Sequence, residues 1–355
     1  MILNQSFKLY KGKRVLITGH TGFIGSWLAK VLLMLDAEIC GYALNPPSQP
    51  NMFEILKLET EIQDTRGNIR NKDTLRKTIE KFHPQIVFHL AAQPIVLKSY
   101  DDPCKTFDIN VTGTVNLLNE LRKVDSVKTI IVMTSDKTYR NKEWPYPYRE
   151  NDELGGKDPY SASKSCQDIV VNSFRESFFL DQGVGISSVR SGNVIGGGDW
   201  ASHRIIPDLV RGIVKGKTVK IRNPNSIRPW QHVLEPLSGM LFLAERMYKD
   251  YRISDSWNFG PDSQSSRTVK ELTEEFIHYY EEGDFEIEKT TDFKESKYLQ
   301  IDISKAKNKL NWHPRFNYEE TVKKTVEWYK SYYNGTQMEQ FTKNQIYDYW
   351  MGERL

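Results

Sequence analysis

A strand that stops on a glycine and restarts as a helix leaves a chain few folds to choose from, and residues 14–35 read that way. Arg14-Val15-Leu16-Ile17-Thr18 is a short, largely β-branched run that ends at Gly19. Ile24, Leu28, Val31, Leu32 and Leu35 then recur at helical spacing. The same beat returns along the first half: a strand at 38–43, a helix at 72–82 before a strand at 85–90, a helix at 103–124 before a strand at 129–134, and a helix at 159–180 before a strand at 185–190. These strands are continuously apolar rather than alternating, so both of their faces are expected to be buried, as happens when helices cover both sides of a parallel sheet. The expectation is an α/β fold: a Rossmann-type doubly wound parallel sheet with a smaller, mixed C-terminal lobe.

At 355 residues, 39% of them hydrophobic and 27% charged, the chain holds enough apolar material for one large domain or two closely joined lobes. Residues 193–200 and 222–231 are rich in Gly, Pro, Asn and Trp and read as loops that line a site. The expected division is a dinucleotide-binding domain at 1–190, with 233–260 returning to it, a substrate-binding lobe at 191–335, and a helical tail at 336–355. In that tail Phe341, Ile346, Tyr347 and Trp350 would form the packing face.

Lys plus Arg outnumber Asp plus Glu by 49 to 46, and no basic run suggests a nucleic-acid partner. No stretch is apolar enough to predict a membrane span or an export signal. The three cysteines, Cys40, Cys104 and Cys166, are scattered and odd in number, which argues against a disulfide framework or structural zinc and fits a cytoplasmic location. No histidine pair stands at metal-ligand spacing, so no metal is expected, and His89, inside a buried strand, reads as a core residue.

The turn after the first strand is Gly19-His20-Thr21-Gly22-Phe23-Ile24-Gly25, a GxxGxxG pattern opening a helix. Glycines there let the backbone approach a pyrophosphate, and the helix N-terminus offers free amides and the positive end of a dipole. The cofactor expected is NAD. NADP stays open, because the second strand ends Gly41-Tyr42-Ala43-Leu44, with neither an acid for a ribose nor an arginine for a 2′-phosphate. Asn68 and Ile69, after Gly67, would turn near the adenine. Further on, Tyr160 and Lys164 stand four apart near the start of a helix and so share a face. An ammonium beside a phenol lowers its pKa toward neutrality, and a phenolate near a nicotinamide is a usable base.

With TGHTGFIG, Leu90-Ala91-Ala92-Gln93 and YSASK in this order, the sequence resembles the extended short-chain dehydrogenase/reductase family over nearly its whole length. Thr134-Ser135-Asp136-Lys137, residues 191–200 (SGNVIGGGDW) and residues 228–236 (RPWQHVLEP) narrow the resemblance to the sugar-nucleotide 4,6-dehydratases, and within them to the CDP-glucose branch. The resemblance implies that NAD takes hydride from sugar C4 while Tyr160, assisted by Lys164, removes the 4-hydroxyl proton. Water then leaves across C5 and C6, and hydride returns to C6. It implies Ser135 as a hydrogen-bond partner of the 4-oxygen and Asp136 as the acid that expels the 6-hydroxyl, which requires burial to raise its pKa. Relatives carry a glutamate where this chain has Lys137, so the C5 base stays open between Lys137 and another group. Leu90, Ala91 and Ala92 are implied at the cofactor, and Gln93, Asn193, Arg204, Arg228, Gln231 and His232 at a nucleotide-sugar substrate, CDP-glucose. Trp230 is as readily a core anchor. A homodimer through the helices at 103–124 and 159–180, or a tetramer, is implied as well. The alternatives are a 4-epimerase or reductase using the same Tyr and Lys, for which Asp136 would have no task, and a nucleotide-binding relative without turnover.

Overall fold

In the computed structural model, which describes residues 7–262, 265–288 and 296–351, the apolar runs of the first half become strands of one sheet. In chain order these are β1 (Arg14–Thr18), β2 (Glu38–Ala43), β3 (Gln63–Arg66), β4 (Ile86–His89), β5 (Thr129–Met133) and β6 (Gly185–Ser191). The second half adds β7 (Val194–Ile195), β8 (Val219–Ile221), β9 (Ile227–Pro229), β10 (Gln231–His232), β11 (Ser256–Phe259), β12 (Ser266–Thr268) and β13 (Phe285–Ile287). The helices used below are α1 (Phe23–Met34), α2 (Lys72–Phe82), α3 (Gly113–Leu121, preceded by Pro103–Phe107 and a wide turn at Asp108–Thr112), α4 (Pro159–Phe174), α5 (Ile205–Val214), α6 (Leu234–Lys249), α7 (Val269–Tyr280), α8 (Tyr318–Tyr333) and α9 (Met338–Met351).

The main sheet has seven strands in the order β11-β6-β5-β4-β1-β2-β3, all parallel. It is the doubly wound sheet expected from the strand pattern. Successive side chains of a strand point to opposite faces, and on β1 Val15 and Ile17 enter one apolar cluster with Trp27 and Leu237 while Leu16 enters another with Val87 and Leu117. Both faces are covered, which is why the strands read as unbroken apolar runs. Strand order reverses between β1 and β4, whose ends lie level, Thr18 opposite His89. In a parallel sheet that crevice at the carboxyl ends is where a ligand fits.

Two strands escape the apolar pattern for opposite reasons. β3, Gln-Asp-Thr-Arg, is an edge strand whose side chains are half-buried or exposed. β11 is the other edge; it pairs with β6 from far along the chain, Trp257 opposite Val189. The remaining strands form three two-stranded ladders, β7 with β10, β9 with β12 and β8 with β13. β7 and β9 fall within the two stretches read as loops, and β10 begins at the end of the second. The helix expected at 159–180 is α4, which widens into a π-type turn at Arg175–Phe179. In the tail, Ile346 and Trp350 are buried on α9 and Phe341 is half-buried, but Tyr347 faces solvent, a correction to the expected packing face; residues 352–355 lie outside the described residues.

The two ends of the described chain meet. Phe7 lies edge-on to Trp350 with ring centroids 6.0 Å apart. Lys30 of α1, wholly buried, pairs with Glu61 at 2.5 Å and Glu339 of α9 at 3.4 Å. Among the described residues no helix is long and apolar enough to cross a membrane, and no cluster of His, Cys, Asp or Glu has the makings of a metal site.

Candidate active site

A cavity of about 780 Å³ follows the carboxyl edge of the sheet from the β1–α1 turn, past the ends of β4 and β5, to β8 and β9. At one end its wall includes Gly19, Thr21, Gly22, Phe23, Ile24 and Gly25. Gly19 has φ +81°, and a Cβ there would sit 2.7 Å from the amide nitrogen of Ala91. A Cβ on Gly25 would sit 2.2 Å from the carbonyl oxygen of Gly19. Only glycine lets the turn, α1 and the Leu90–Ala92 segment close on one another. The first turn of α1 has no side-chain cap: it begins at Gly22, in extended conformation, on the cavity wall. Uncapped amides at the end of a 12-residue helix, with no side chain in front of them, fit a pyrophosphate. Asn68, Ile69, Leu90, Ala91 and Ala92 continue the same wall. These residues would hold a dinucleotide.

The inner part is built from the end of β5 and the start of α4. Ser135 caps a single turn, Asp136–Thr138, its hydroxyl accepting from the Lys137 amide at 3.2 Å and donating to Asp136 Oδ1 at 3.0 Å. Asp136 is 2% exposed, and its Oδ2 has no hydrogen-bond partner among the described residues. Burial raises its pKa, against the opposing pull of Lys137, the Ser135 hydroxyl and Arg228. The Asp136 side chain, which lines the cavity, is thereby shifted toward the protonated acid, with one buried oxygen left without a hydrogen-bond partner among the described residues.

Tyr160 stands in the first turn of α4, which Asp158 caps by accepting from the Ser161 amide at 2.9 Å. The Tyr160 amide donates to the buried Ser99 hydroxyl at 3.1 Å. Burial pushes the phenol up to about 12, while a hydrogen bond to Ser135 and the Arg204 cation pull it down. One turn on, Lys164 also lines the cavity; its ammonium donates to the Met133 carbonyl at 3.2 Å and to Gln167 Oε1 at 2.8 Å. Burial brings Lys164 down to about 7, opposed by Asp168. The groups that pull the phenol down are Ser135 and Arg204, and the Lys164 ammonium, one turn along, is held by the Met133 carbonyl and Gln167.

Asn193, Arg204 and Arg228 line the same cavity, the two arginines close enough to Tyr160 and Asp136 to act on them. Arg204 pairs with Asp199 at 2.8 Å, and Arg228, 3% exposed, donates to its neighbour's carbonyl at Ile227. Three expected substrate contacts are corrected. Gln93 is spent on its own loop, donating to Thr106 at 3.0 Å and accepting from the Ile95 amide at 2.7 Å. Gln231 is buried against Ser191 and the Phe259 carbonyl. His232 is packed edge-on between Trp27 and Phe316, its Nδ1 accepting from the Leu234 amide. None of the three is on the cavity wall. Trp230 is both anchor and wall: 3% exposed, it donates to the Arg267 carbonyl at 3.0 Å and closes one side of the cavity. His89 is a core residue, held between the Thr18 and Thr114 hydroxyls at 2.6 and 3.0 Å.

Sequence reasoning missed Lys98, His203 and Lys220 on the wall, and Asn45 just past β2. The alternation Val219-Lys220-Ile221-Arg222 was a readable signal for a half-buried strand with charged residues on one face. It also missed Arg66 at the end of β3, beside the end of β2. That guanidinium is committed to Asp64 at 2.7 Å and the Leu44 carbonyl at 3.1 Å, and it lies over the Phe53 ring.

With this geometry in hand, known proteins can be compared. The chain is 45% identical, over 96% of its own length and 97% of the other's, to a CDP-glucose 4,6-dehydratase of Salmonella typhimurium. Among solved structures, a dTDP-glucose 4,6-dehydratase from Bacillus anthracis in complex with NAD superposes with a TM-score of 0.77 at 23% identity, covering 92% of this chain and 99% of that one. A UDP-glucose 4-epimerase with UDP-glucose from Thermotoga maritima gives a TM-score of 0.76 at 21% identity, covering 90% and 99%. At those identities the two structures speak to the fold. Residues 16–325 match the family described as GDP-mannose 4,6 dehydratase, and the chain belongs to that family.

Proposed function

We propose that this chain converts CDP-glucose to CDP-4-keto-6-deoxyglucose and water, using bound NAD. The observation that carries the reading is Asp136: a buried carboxyl with one oxygen unpartnered among the described residues, on the same wall as Tyr160 and Ser135. Near-full-length identity of 45% to a CDP-glucose 4,6-dehydratase supports both the reaction and the base. An epimerase would use Tyr160 and Lys164 but leave Asp136 without a task.

The dinucleotide, when bound, accepts hydride from C4 and returns it to C6, so no net oxidation results. Tyr160, once deprotonated and with the Lys164 ammonium stabilising the phenolate, accepts the 4-hydroxyl proton as the C4–H bond breaks, and Ser135 hydrogen-bonds the oxygen that becomes the ketone. The 4-ketone acidifies the C5 hydrogen. Asp136 gives its proton to the departing 6-hydroxyl, which leaves as water; Lys137 either takes the C5 proton as base or stabilises the enolate while another group takes it, and a proton returns to C5 as hydride reaches C6. Arg204 and Arg228 meet the diphosphate, for which a guanidinium fork is suited, and Asn193 lies beside them. NAD is preferred to NADP because Arg66, the cation nearest the end of β2, already carries Asp64 and the Leu44 carbonyl.

The working form we infer is a homodimer in the cytoplasm, with α3 and α4 at the interface. Supporting this, Ile169 of α4 and Phe178 just beyond it expose large apolar side chains.

The test is to incubate purified protein with CDP-glucose, and separately with dTDP-, UDP- and GDP-glucose, with and without added NAD, and follow mass loss of one water. Dehydration of CDP-glucose alone is expected. Dehydration of a different nucleotide sugar overturns the substrate, and no dehydration at all overturns the reaction.

A further inference from the structure

Lys164 is held from behind by a side chain that the reaction scheme leaves without a role. Gln167, one turn along α4 and wholly buried, accepts from the Lys164 ammonium at 2.8 Å and donates to the Thr114 hydroxyl of α3 at 2.9 Å. Thr114 donates in turn to the Asn110 carbonyl at 2.7 Å and lies 3.0 Å from His89 Nε2. An ammonium has only donors, so the amide must turn its oxygen to Lys164 and its nitrogen to Thr114. With every link out of solvent, Gln167 has no competing partner to swing toward. An apolar residue would fill this position between two helices equally well; an amide is needed only if something there must be hydrogen-bonded.

We propose that Gln167 is a positioning residue which fixes the Lys164 ammonium at the floor of the cavity and keeps it protonated there. The proposal rests on the reading that Lys164 serves Tyr160. The other groups around Lys164 leave room for this task. Asp168, on the same helix, is the nearest source of negative charge, but its carboxylate is taken by Arg190 of β6, at 2.9 and 3.0 Å, and by the hydroxyls of Thr134, Ser188 and Ser256. His89 of β4 is kept neutral by burial. Asp136, after β5, is shifted toward its neutral form, and Tyr160 is a phenol in the resting state. Against the cost of burying a charge, Lys164 has the longer-range pull of Asp168 and two direct hydrogen-bond acceptors, the Met133 carbonyl and Gln167. An acceptor beside an ammonium favours the charged form, so losing one lets the proton leave at lower pH.

The experiment follows the Lys164 side chain in NAD-loaded protein by NMR with ¹³C-lysine, its signal identified by its loss in Lys164→Met. Gln167→Met, close in shape but without the acceptor, should lower the Lys164 titration midpoint by about one pH unit. Gln167→Glu, the same shape with a negative charge, should raise it by a similar amount. The alkaline limb of kcat for CDP-glucose dehydration should move the same way in each variant, with KM within about twofold of the starting enzyme, since Gln167 does not touch substrate. Midpoints that stay put, or that move in the same direction in both variants, overturn the proposal. Should Gln167→Met fail to fold, the Gln167→Glu shift decides alone. If the unaltered protein dehydrates no sugar nucleotide and the two variants still move Lys164 in opposite directions, the hold on Lys164 stands and the reaction falls.

Discussion

Asp136 and Glu235 are carboxyl groups almost wholly withdrawn from solvent, 2% and 1% exposed, and burial raises the pKa of both. Their surroundings part from there. Glu235, in the seam between α6 and the C-terminal segment, accepts from the Arg315 and Phe316 amides at 3.0 and 2.7 Å through one oxygen and from the Tyr349 hydroxyl at 2.7 Å through the other. Asp136, which lines the cavity, uses one oxygen on Ser135 and leaves the other, also buried, without a partner among the described residues. Glu235 is a fastener, because moving it would strand three donors; Asp136 has a proton to give and a place to give it. A raised pKa therefore does not by itself mark a functional carboxyl; an unspent oxygen against a cavity does.

The largest effect should come from the base. Tyr160→Phe is expected to reduce dehydration by about 10³-fold or more while NAD still binds, measured by product mass and by cofactor titration. An active variant would remove Tyr160 from its role. Next, Asp136→Asn should lower dehydration by about 10²- to 10⁴-fold, whereas Glu235→Gln should leave kcat within about threefold. The reverse outcome would break the distinction between the two carboxyls.

Smaller and slower to read is the pH dependence of stability. Glu235 sits at about 7 in the folded protein against an ordinary 4.5, so the folded state holds a proton that the unfolded state has lost. Its contribution is fully present below pH 4.5 and is lost as pH rises to about 7, a change on the order of 3 kcal/mol. Glu235→Gln should therefore flatten the difference in Tm between pH 5 and pH 8. An unchanged difference would mean that Glu235 is ionised in both states. Smallest of all, Tyr349→Phe should lower stability by about 1 kcal/mol in denaturant titration, with turnover near that of the starting enzyme.

Sequence reasoning reached the two-faced burial of β1, β4 and β5, because their polar residues stand only at the strand ends and leave the apolar run unbroken. The glycines of the β1–α1 turn, Tyr160 and Lys164 could be singled out because a sharp turn and a shared helix face are local properties of spacing, and all of them line the cavity. β3 was not legible, being a polar edge strand; 233–260 was expected to return to the dinucleotide-binding domain, but not the β11 strand itself, whose pairing with β6 crosses a long interval. The substrate side was read least well. Gln231 and His232 sit beside Trp230, which is on the wall, but their side chains go to Ser191 and to the Trp27 ring. Whether a polar side chain in a short strand faces a cavity or the core depends on partners brought in from elsewhere. The Gln167 hold on Lys164 was invisible for the same reason, since half of it lies on α3.

The edge contact of Phe7 with Trp350 bears on the order in which a growing chain can close. A ribosome delivers β1 to β6 and their helices in sequence, and each can pack on the strand before it. The ground floor of α1 has to wait: Lys30 meets Glu339, and Phe7 meets its cover, only after α9 has emerged. Until then the newborn protein displays an apolar ring and an incompletely paired cation that the finished one hides.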